Sequence, residues 1–341
     1  MDFCKPEPRP SSRISHLGPQ AAQCVCLFGT DLTANAFLAA AKGRSTLGKA
    51  LPLPVFDRRT GRVIQEFMDD SSATYESRPH QSLMQWLGSS PTWDWLVAAY
   101  QNTSYSARNI EPFIRKYHID MTEFEPGPFK SYAEFFDRRF LPGKRHFPDS
   151  PGQMGAFAEA RYLAWEKLAP EMEFPIKGHS LKPEILFGNA ERAKEFEGGP
   201  VILARLSPMD YHHLHYVDSG RTIDTWRLGS RLWTVNPNAL RNQPDILFRN
   251  ERSVQLLETE HFGRLAMVEI GALSVGRIVQ VHDIKKPFTR GAEKSMFKFG
   301  GSAVAFFGQP GRWQPEQDIL RHTRNGQETL IRLGQAIARR Q

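Results

Sequence analysis

The stretch Phe297-Lys-Phe-Gly-Gly-Ser-Ala-Val-Ala-Phe-Phe307 places two glycines and a serine between two apolar, aromatic segments. In the first segment aromatic residues alternate with a lysine, and residues 304–307 form a continuous apolar run, so both flanks are predicted strands. Strand interiors usually avoid glycine, so Gly300-Gly301 predicts a bend or a close approach of another group to the backbone. Taken alone, the stretch is typical of a tight hairpin turn.

The composition is that of a folded globular protein with one large domain or two ordinary ones. The chain has 341 residues, of which 40% are hydrophobic and 24% charged. No apolar run approaches the roughly 20 residues that cross a bilayer, and the N-terminus lacks the apolar core of a secretory signal. The three cysteines, Cys4, Cys24 and Cys26, form no disulfide framework and favour a reducing, cytoplasmic location.

The net charge of +7 is compatible with an anionic partner, either a membrane surface or a nucleic acid, although scattered solvating charge is the favoured interpretation. The sequence contains no Lys/Arg block with interleaved aromatics, so nucleic-acid binding is not expected. Trp86, Trp93 and Trp95 allow two interpretations. Packing between helices is the favoured one, and a membrane-facing aromatic surface, with peripheral attachment, is the other.

The pattern of apolar residues predicts an α+β chain in three parts: a poorly defined segment 1–50, a helical region 51–150 and a β-rich core 151–341. Helical spacing is found within residues 81–117 and again in residues 131–140. In the core, short apolar runs separated by Gly, Pro, Asn and Asp predict strands at 200–206, 220–228, 264–270, 275–281, 297–307 and 329–333.

The densest polar cluster is Ser207-Pro-Met-Asp-Tyr-His-His-Leu-His215, in which His212 and His215 are three residues apart. This spacing leaves three interpretations open: a metal site with Glu159 as a third ligand, a general acid/base pair, or a His-rich surface turn. Ser302 is the candidate nucleophile, because the two preceding glycines let a hydroxyl approach the neighbouring carbonyl.

Taken together, the motifs resemble the phosphatidylserine decarboxylases, pyruvoyl enzymes that make their own cofactor, in the subgroup with an extended N-terminal region. The resemblance covers about residues 54–337, and its strength lies in the order of many individually weak blocks. These blocks are Phe56-Asp-Arg-Arg-Thr-Gly61, Tyr117-His-Ile-Asp120, Phe135-Phe-Asp-Arg-Arg-Phe-Leu-Pro-Gly143, Ile176-Lys-Gly-His-Ser-Leu181, Asp210-Tyr-His-His-Leu-His215, Asn250-Glu-Arg252, Val268-Glu-Ile-Gly-Ala272, Phe297-Lys-Phe-Gly-Gly-Ser302 and Glu328-Thr-Leu-Ile-Arg-Leu-Gly334.

The resemblance implies self-cleavage between Gly301 and Ser302, after which residue 302 carries the pyruvoyl group. By the family pattern His215 is the base for the Ser302 hydroxyl, and Glu159 is the carboxylate that orients His215. The pyruvoyl ketone accepts electrons during loss of carbon dioxide, and His212 is the candidate acid that protonates the product carbon. The resemblance further implies N-terminal helices packed on a β-rich core, no metal, and a homodimer.

Three departures from the family pattern concern the site. The family usually has Asp in a Pro-Ala-Asp-Gly-like turn, whereas this chain has Phe157-Ala-Glu-Ala160. His213 replaces the usual Arg between the two histidines, and Ala303 replaces the Thr after the serine.

The favoured substrate is phosphatidylserine. The alternatives are a free, aromatic amino acid decarboxylated by the same mechanism, and a catalytically inactive binding homologue.

Overall fold

The computed structural model of the chain describes residues 52–67, 91–167, 183–229, 250–271, 277–298 and 302–341. The predicted N-terminal segment 1–50, Trp86 and Gly301 lie outside the described residues. Within the described ranges a large β-sheet is accompanied by smaller sheets and short helices, which confirms the predicted α+β class.

Most of the predicted strands are confirmed, including the short one near the C-terminus. The strands are β1 (Pro52–Asp57), β2 (Arg62–Phe67), β3 (Gln153–Gly155), β4 (Ala160–Trp165), β5 (Val201–Leu206), β6 (His213–His215), β7 (Gly220–Leu228), β8 (Arg252–Thr259), β9 (Gly263–Ile270), β10 (Arg277–Gln280), β11 (Glu293–Lys298), β12 (Ser302–Gly308), β13 (Trp313–Pro315), β14 (Glu328–Ile331) and β15 (Ala336–Arg340).

Nine of these strands form the main sheet, in the order β2-β1-β14-β4-β5-β12-β9-β8-β7. β1 and β14 are parallel, and every other neighbouring pair is antiparallel. Two smaller sheets have the orders β10-β11-β6 and β13-β15-β3. Because β1 and β2 precede residue 150, the main sheet draws strands from both sides of the predicted boundary between helical region and core.

The stretch 297–307 is not a hairpin, because its two strands belong to different sheets. β11 pairs with β10 and β6, whereas β12 pairs with β5 and β9 in the interior of the main sheet. The predicted strands on both flanks are confirmed, and the interpretation as a simple hairpin turn is wrong. The chain therefore passes from one sheet to another across the short glycine segment.

The helices in the described ranges are short, and three of them precede residue 150 while three lie within residues 151–341. They are α1 (Pro91–Gln101), α2 (Ile110–Tyr117), α3 (Tyr132–Phe136), α4 (Pro183–Phe187), α5 (Ala190–Ala193) and α6 (Gln317–Arg324), with 3₁₀ turns at Ser104–Asn109, Met121–Glu123 and Lys194–Phe196. In the described part of the predicted helical stretch 81–117, the helices are found as α1 and α2, and residues 81–90 lie outside the described residues. None of the helices in the described part of the chain has the length and apolar character needed to cross a bilayer.

The predicted helix over residues 131–140 is too long, since α3 ends at Phe136. Ser131 caps it, accepting a hydrogen bond from Glu134 N at 3.2 Å. Arg138 then turns inward, and its Nη2 donates to Met209 O at 2.6 Å and to Asp210 O at 3.1 Å. A buried guanidinium must satisfy its donors, so these carbonyls override the local helical pattern.

The core is centred on β12, which is buried along its whole length. The Phe306 ring lies 5.2 Å from Phe157 and 6.0 Å from Trp313, measured between ring centroids. α6 packs against β4 of the main sheet, where Ala164 N donates to Thr323 Oγ1 at 2.9 Å. Burial of each large apolar side chain contributes about 1.5–3 kcal/mol, so the sheet interior around β12 is a rigid support for the residue at its start.

Candidate active site

Ser302 is the first residue of β12, at the point where the chain enters the main sheet. It is fully buried, and its Cα pairs with that of Leu206 at the end of β5. Among the residues that the structure describes, its Oγ has no hydrogen-bond partner. A buried hydroxyl without a partner costs about 1–3 kcal/mol, so this one indicates a functional rather than a stabilising role.

Two connections bring the loop with His212 and His215 close to Ser302, one through β5 and one through β11. β5 ends at Leu206, opposite Ser302, and the chain then runs directly into the loop that carries His212. On the other side, β11 pairs with β6, and Phe297 N donates to His212 O at 2.9 Å. Four peptide steps from Lys298 to Ser302 span at most about 14 Å. The topology therefore brings the predicted serine and histidines to one end of the sheet.

His215 is held at both ring nitrogens. Its Nδ1 lies 2.8 Å from Gly291 O, and its Nε2 lies 3.2 Å from Tyr211 Oη. A carbonyl oxygen can only accept, so Nδ1 carries the proton and Nε2 has the lone pair of a base. Burial lowers the pKa of His215, although the Gly291 carbonyl and Glu293 act in the opposite sense. The imidazole is thus suited to accept a proton near neutral pH.

Glu159 was expected to orient His215, and the structure places no hydrogen bond between them. Glu159 Oε1 instead accepts from Arg145 Nε at 2.5 Å, and Arg145 also binds Glu123 at 2.8 Å. The loop is close, since His215 N donates to Phe157 O at 2.9 Å. Burial raises the pKa of Glu159, against the effect of Arg145. The backbone carbonyl of residue 291 occupies the position in which a triad carboxylate would hold the ring.

His212 and His213 face different surroundings although they are adjacent. His212 is buried, its Nδ1 lies 3.0 Å from Asp210 O, and its ring centroid lies 4.2 Å from that of Phe136. His213 Nδ1 lies 2.6 Å from Glu293 Oε1, and its Nε2 lies 3.3 Å from a backbone carbonyl. Both of these partners are acceptors, and they fix the orientation of the His213 ring between Glu293 and Asp137.

A buried ion-pair network fixes the loop that leads from β5 to the histidines. Arg161 binds both Asp210 and Glu66, while Arg205 Nη2 donates to Glu66 Oε2 at 2.9 Å. Asp210 in turn accepts from Ser207 N at 2.6 Å, closing the loop. Burial acts to raise the pKa of Glu66, but the two guanidinium groups outweigh it and lower the pKa to about 2. The ionised Glu66 therefore lies between two guanidinium groups, while burial raises the pKa of Asp210 against the effect of Arg161.

A second buried pair lies on the same face of the main sheet as Ser302. Glu269 on β9 is opposite the residue two positions after Ser302. Lys294 Nζ and Ser295 Oγ of β11 both donate to Glu269, and Gln280 Nε2 donates to it at 2.8 Å. Lys294 and Glu269 are fully buried. Burial lowers the pKa of Lys294, against the attraction of Glu269. The pair ties β9 to β11, the strand that leads into the glycine segment.

The sequence did not predict the contacts of Tyr211, Gly291 and Arg145 in the site. Tyr211 belongs to the Asp210–His215 block, which was a signal, but an aromatic residue there equally suits a core position. Gly291 and Arg145 reach their partners only through the fold, because no spacing pattern relates them to His215 or Glu159.

Sequence comparisons show the family to which the chain is related. A family model described as phosphatidylserine decarboxylase matches residues 132–339. A phosphatidylserine decarboxylase proenzyme of Ruminiclostridium cellulolyticum is 34% identical over 244 residues, which cover 71% of this chain and 81% of the relative. A phosphatidylserine decarboxylase proenzyme of Chlamydia felis is 31% identical over 297 residues, 84% of this chain and 98% of the relative. The matched region contains the buried serine, the histidine loop and both strands around the glycine segment, and the chain belongs to the phosphatidylserine decarboxylase family.

Proposed function

We propose that the chain is a proenzyme that cleaves itself between Gly301 and Ser302 and then decarboxylates phosphatidylserine to phosphatidylethanolamine. The observation that carries the proposal is the buried Ser302 hydroxyl, which has no partner among the described residues and starts an interior strand. Membership of the family and the proenzyme names of the relatives support it.

In the proposed cleavage, Ser302 Oγ attacks the carbonyl carbon of Gly301 and His215 Nε2 takes the hydroxyl proton. The peptide C–N bond breaks, which leaves an ester between the two residues and a free amine on residue 302. Loss of the Cα proton of residue 302 then expels the Gly301 carboxylate and leaves dehydroalanine. Water converts this to a ketone and releases ammonia. Two chains result, one ending at Gly301 and one beginning at residue 302.

The residues around Ser302 fit a small group that is covalently fixed to the start of β12. The Ser302 Oγ leaves with the Gly301 carboxylate during the elimination, and its departure breaks no existing hydrogen bond among the described residues. A pyruvoyl group there supplies an electron-accepting carbonyl for the release of carbon dioxide. His212, buried next to β11, is the proposed proton donor to the product carbon. The buried ion-pair network keeps this histidine at a fixed place.

The rate of self-cleavage is expected to hold its plateau to below pH 6.5, the ordinary pKa of histidine. Cleavage needs neutral His215, and because burial lowers the pKa of His215, the neutral form persists to a lower pH than in an exposed histidine. Gel densitometry of cleavage over a series from about pH 5 to 8 measures the fall in rate on the acid side, and circular dichroism confirms folded protein at each pH. A fall in rate that begins above pH 6.5 would contradict the assignment of neutral His215 as the base.

Substrate choice is tested by measuring carbon dioxide release from matured enzyme. Phosphatidylserine in mixed micelles is expected to be turned over, and a panel of free amino acids is not. The matched control is the Ser302→Ala chain, which should release no carbon dioxide from either. Turnover of a free aromatic amino acid alone would establish the alternative substrate class and leave the cleavage chemistry intact. Cleaved protein without any turnover would favour the inactive binding homologue.

We also propose peripheral attachment to a membrane through a surface formed by Trp95, Leu96, Tyr105 and Arg108. The three apolar side chains are 67%, 50% and 57% exposed, and the Arg108 guanidinium lies 3.7 Å from the Tyr105 ring centroid. Aromatic side chains next to a basic one suit the boundary between lipid headgroups and acyl chains. Exposure of Trp95 also shows that this tryptophan is not a core residue, against the favoured interpretation of the sequence.

Trp95→Ser/Leu96→Ser is expected to reduce co-sedimentation with anionic vesicles several-fold, because each change removes apolar area that enters the interface. Ile223→Ser is the matched control, since Ile223 is 44% exposed on β7, outside this surface. Binding should also weaken at high salt, which screens the attraction of basic residues to the lipid. Equal sedimentation of the double variant and the control would argue against this surface.

A further inference from the structure

We propose that Tyr211 is a positioning residue for the base: its hydroxyl, together with the Gly291 carbonyl, holds His215 in the tautomer that presents a basic Nε2. The inference rests on the proposed role of His215. It assigns to a tyrosine hydroxyl and a backbone carbonyl the task that a carboxylate performs in a triad.

The direction of the hydrogen bonds follows from the chemistry of the partners. Gly291 O accepts, so His215 Nδ1 is protonated, and the neutral ring then has its lone pair on Nε2. Tyr211 Oη, 3.2 Å from Nε2, must therefore donate its proton to that lone pair. Burial raises the pKa of Tyr211, so the hydroxyl keeps this proton over the pH range in which the protein is folded.

Tyr211 is itself fixed by two neighbouring rings, of which His213 is stacked on it and Phe140 is tilted against it. Its ring centroid lies 4.5 Å from that of His213, at an interplanar angle of 15°, and 4.4 Å from that of Phe140. His213 is anchored in turn by Glu293, which Arg139 also binds. A stacked aromatic pair of this kind contributes about 0.5–1.5 kcal/mol beyond the area that it buries. The Tyr211 ring and its hydroxyl are thus held at a fixed place by these neighbouring rings.

Several charged groups surround His215, and their effects must be separated from that of Tyr211. Burial is the largest influence and lowers the pKa of His215, whereas the Gly291 carbonyl and Glu293 raise it. His213 and Arg139 lower it. A hydrogen bond donated to Nε2 stabilises the neutral ring, so its loss should raise the pKa of His215. A purely structural tyrosine would leave that pKa unchanged.

The hydroxyl also competes for the lone pair that must receive the Ser302 proton. One lone pair accepts one strong hydrogen bond, so the Tyr211 O–H must turn away when Ser302 Oγ approaches. Tyr211 therefore stabilises neutral His215 before the reaction, and its hydrogen bond to Nε2 breaks when Ser302 attacks. This arrangement keeps the imidazole from rotating or protonating while the chain folds.

The test uses the full chain with Ser302→Ala, which remains uncleaved whatever the base does. ¹⁵N NMR of labelled histidine should give the Nδ1–H tautomer for His215. Adding Tyr211→Phe should raise the His215 pKa by about 0.5–1 unit, the shift expected for one lost hydrogen bond. The tyrosine-to-phenylalanine control is Tyr162→Phe, which removes a buried hydroxyl that donates to Ala158 O at 2.8 Å; it should leave the His215 pKa unchanged.

The Nε2–H tautomer in the Ser302→Ala chain, or a His215 pKa that is unchanged or lower in Tyr211→Phe, would overturn the inference. These NMR readouts do not depend on cleavage or decarboxylation, so failure of the proposed function and failure of the positioning role are distinguishable. In the cleavable chain, the acid limb of the cleavage rate should move to higher pH in Tyr211→Phe by the same amount, because the base then protonates earlier.

Discussion

Ser302→Ala is expected to leave one intact chain, with complete loss of cleavage and of decarboxylase activity. The variant lacks the oxygen that attacks Gly301 and then leaves with the Gly301 carboxylate, so neither the ester nor dehydroalanine can form. Denaturing mass spectrometry distinguishes the intact chain from the two fragments and shows whether the fragment beginning at residue 302 lacks a free serine amine. The Ser302 side chain has no hydrogen-bond partner among the described residues, so the variant should fold normally.

Ser253→Ala is the matched control, because Ser253 is a buried serine on β8 of the same sheet. It should cleave as the unchanged chain does. His215→Ala should also stay intact, since the proton of Ser302 then has no acceptor, while His212→Ala should cleave and decarboxylate poorly. Cleavage of Ser302→Ala at the same bond would refute the proposed chemistry, and a fully active His212→Ala would move the proton-donor role to another residue.

Lys294→Met is expected to destabilise the fold by about 3–5 kcal/mol, because it leaves Glu269 as a buried carboxylate without its cation. Both side chains are fully buried, so water cannot replace the lost partner. The loss should appear as a lower urea midpoint at unchanged slope. The measurement belongs in the Ser302→Ala background, where unfolding involves a single chain.

Lys294→Met/Glu269→Gln removes both charges and keeps an acceptor for the Ser295 hydroxyl, and it should recover most of the stability lost in the single variant. If Lys294→Met alone cost less than about 1 kcal/mol, the lysine and glutamate would be a neutral pair that has exchanged its proton. Since the pair joins β9 to β11, the single variant should also slow cleavage in the chain that retains Ser302.

The strands were predictable because the alternation of apolar and polar residues, or a continuous apolar run, depends only on which faces of that segment are buried. The residues around 297–307 and 328–331 show this, since both were expected as strands and both are strands. Which strand pairs with which is not encoded locally, so the change of sheet between β11 and β12 could not be predicted. The helix over 131–140 failed for a related reason, as the carbonyls that bind Arg138 lie about seventy residues further along the chain.

The site was predictable in its membership and less so in its contacts. Ser302, His212 and His215 were named from motifs, and the topology brings them to one end of the main sheet. Glu159 was named from its place in a motif, but its contact with Arg145 depends on where the loop before β3 lies. A motif identifies residue types at fixed spacing, whereas the partner of a buried carboxylate is decided by every element packed around it.

The positions of β12 and β14 make refolding of the matured protein depend on the association of its two chains. β12 lies between β5 and β9, and β14 lies between β1 and β4, so residues 302–341 supply two interior strands of one sheet. Before cleavage, the tether holds this segment near its partners at an effective concentration on the order of millimolar. After cleavage, refolding becomes a second-order encounter between two polypeptides that each expose unpaired strand edges. Maturation would thus make refolding inefficient, and the recovered fraction of folded protein would fall as the protein is diluted.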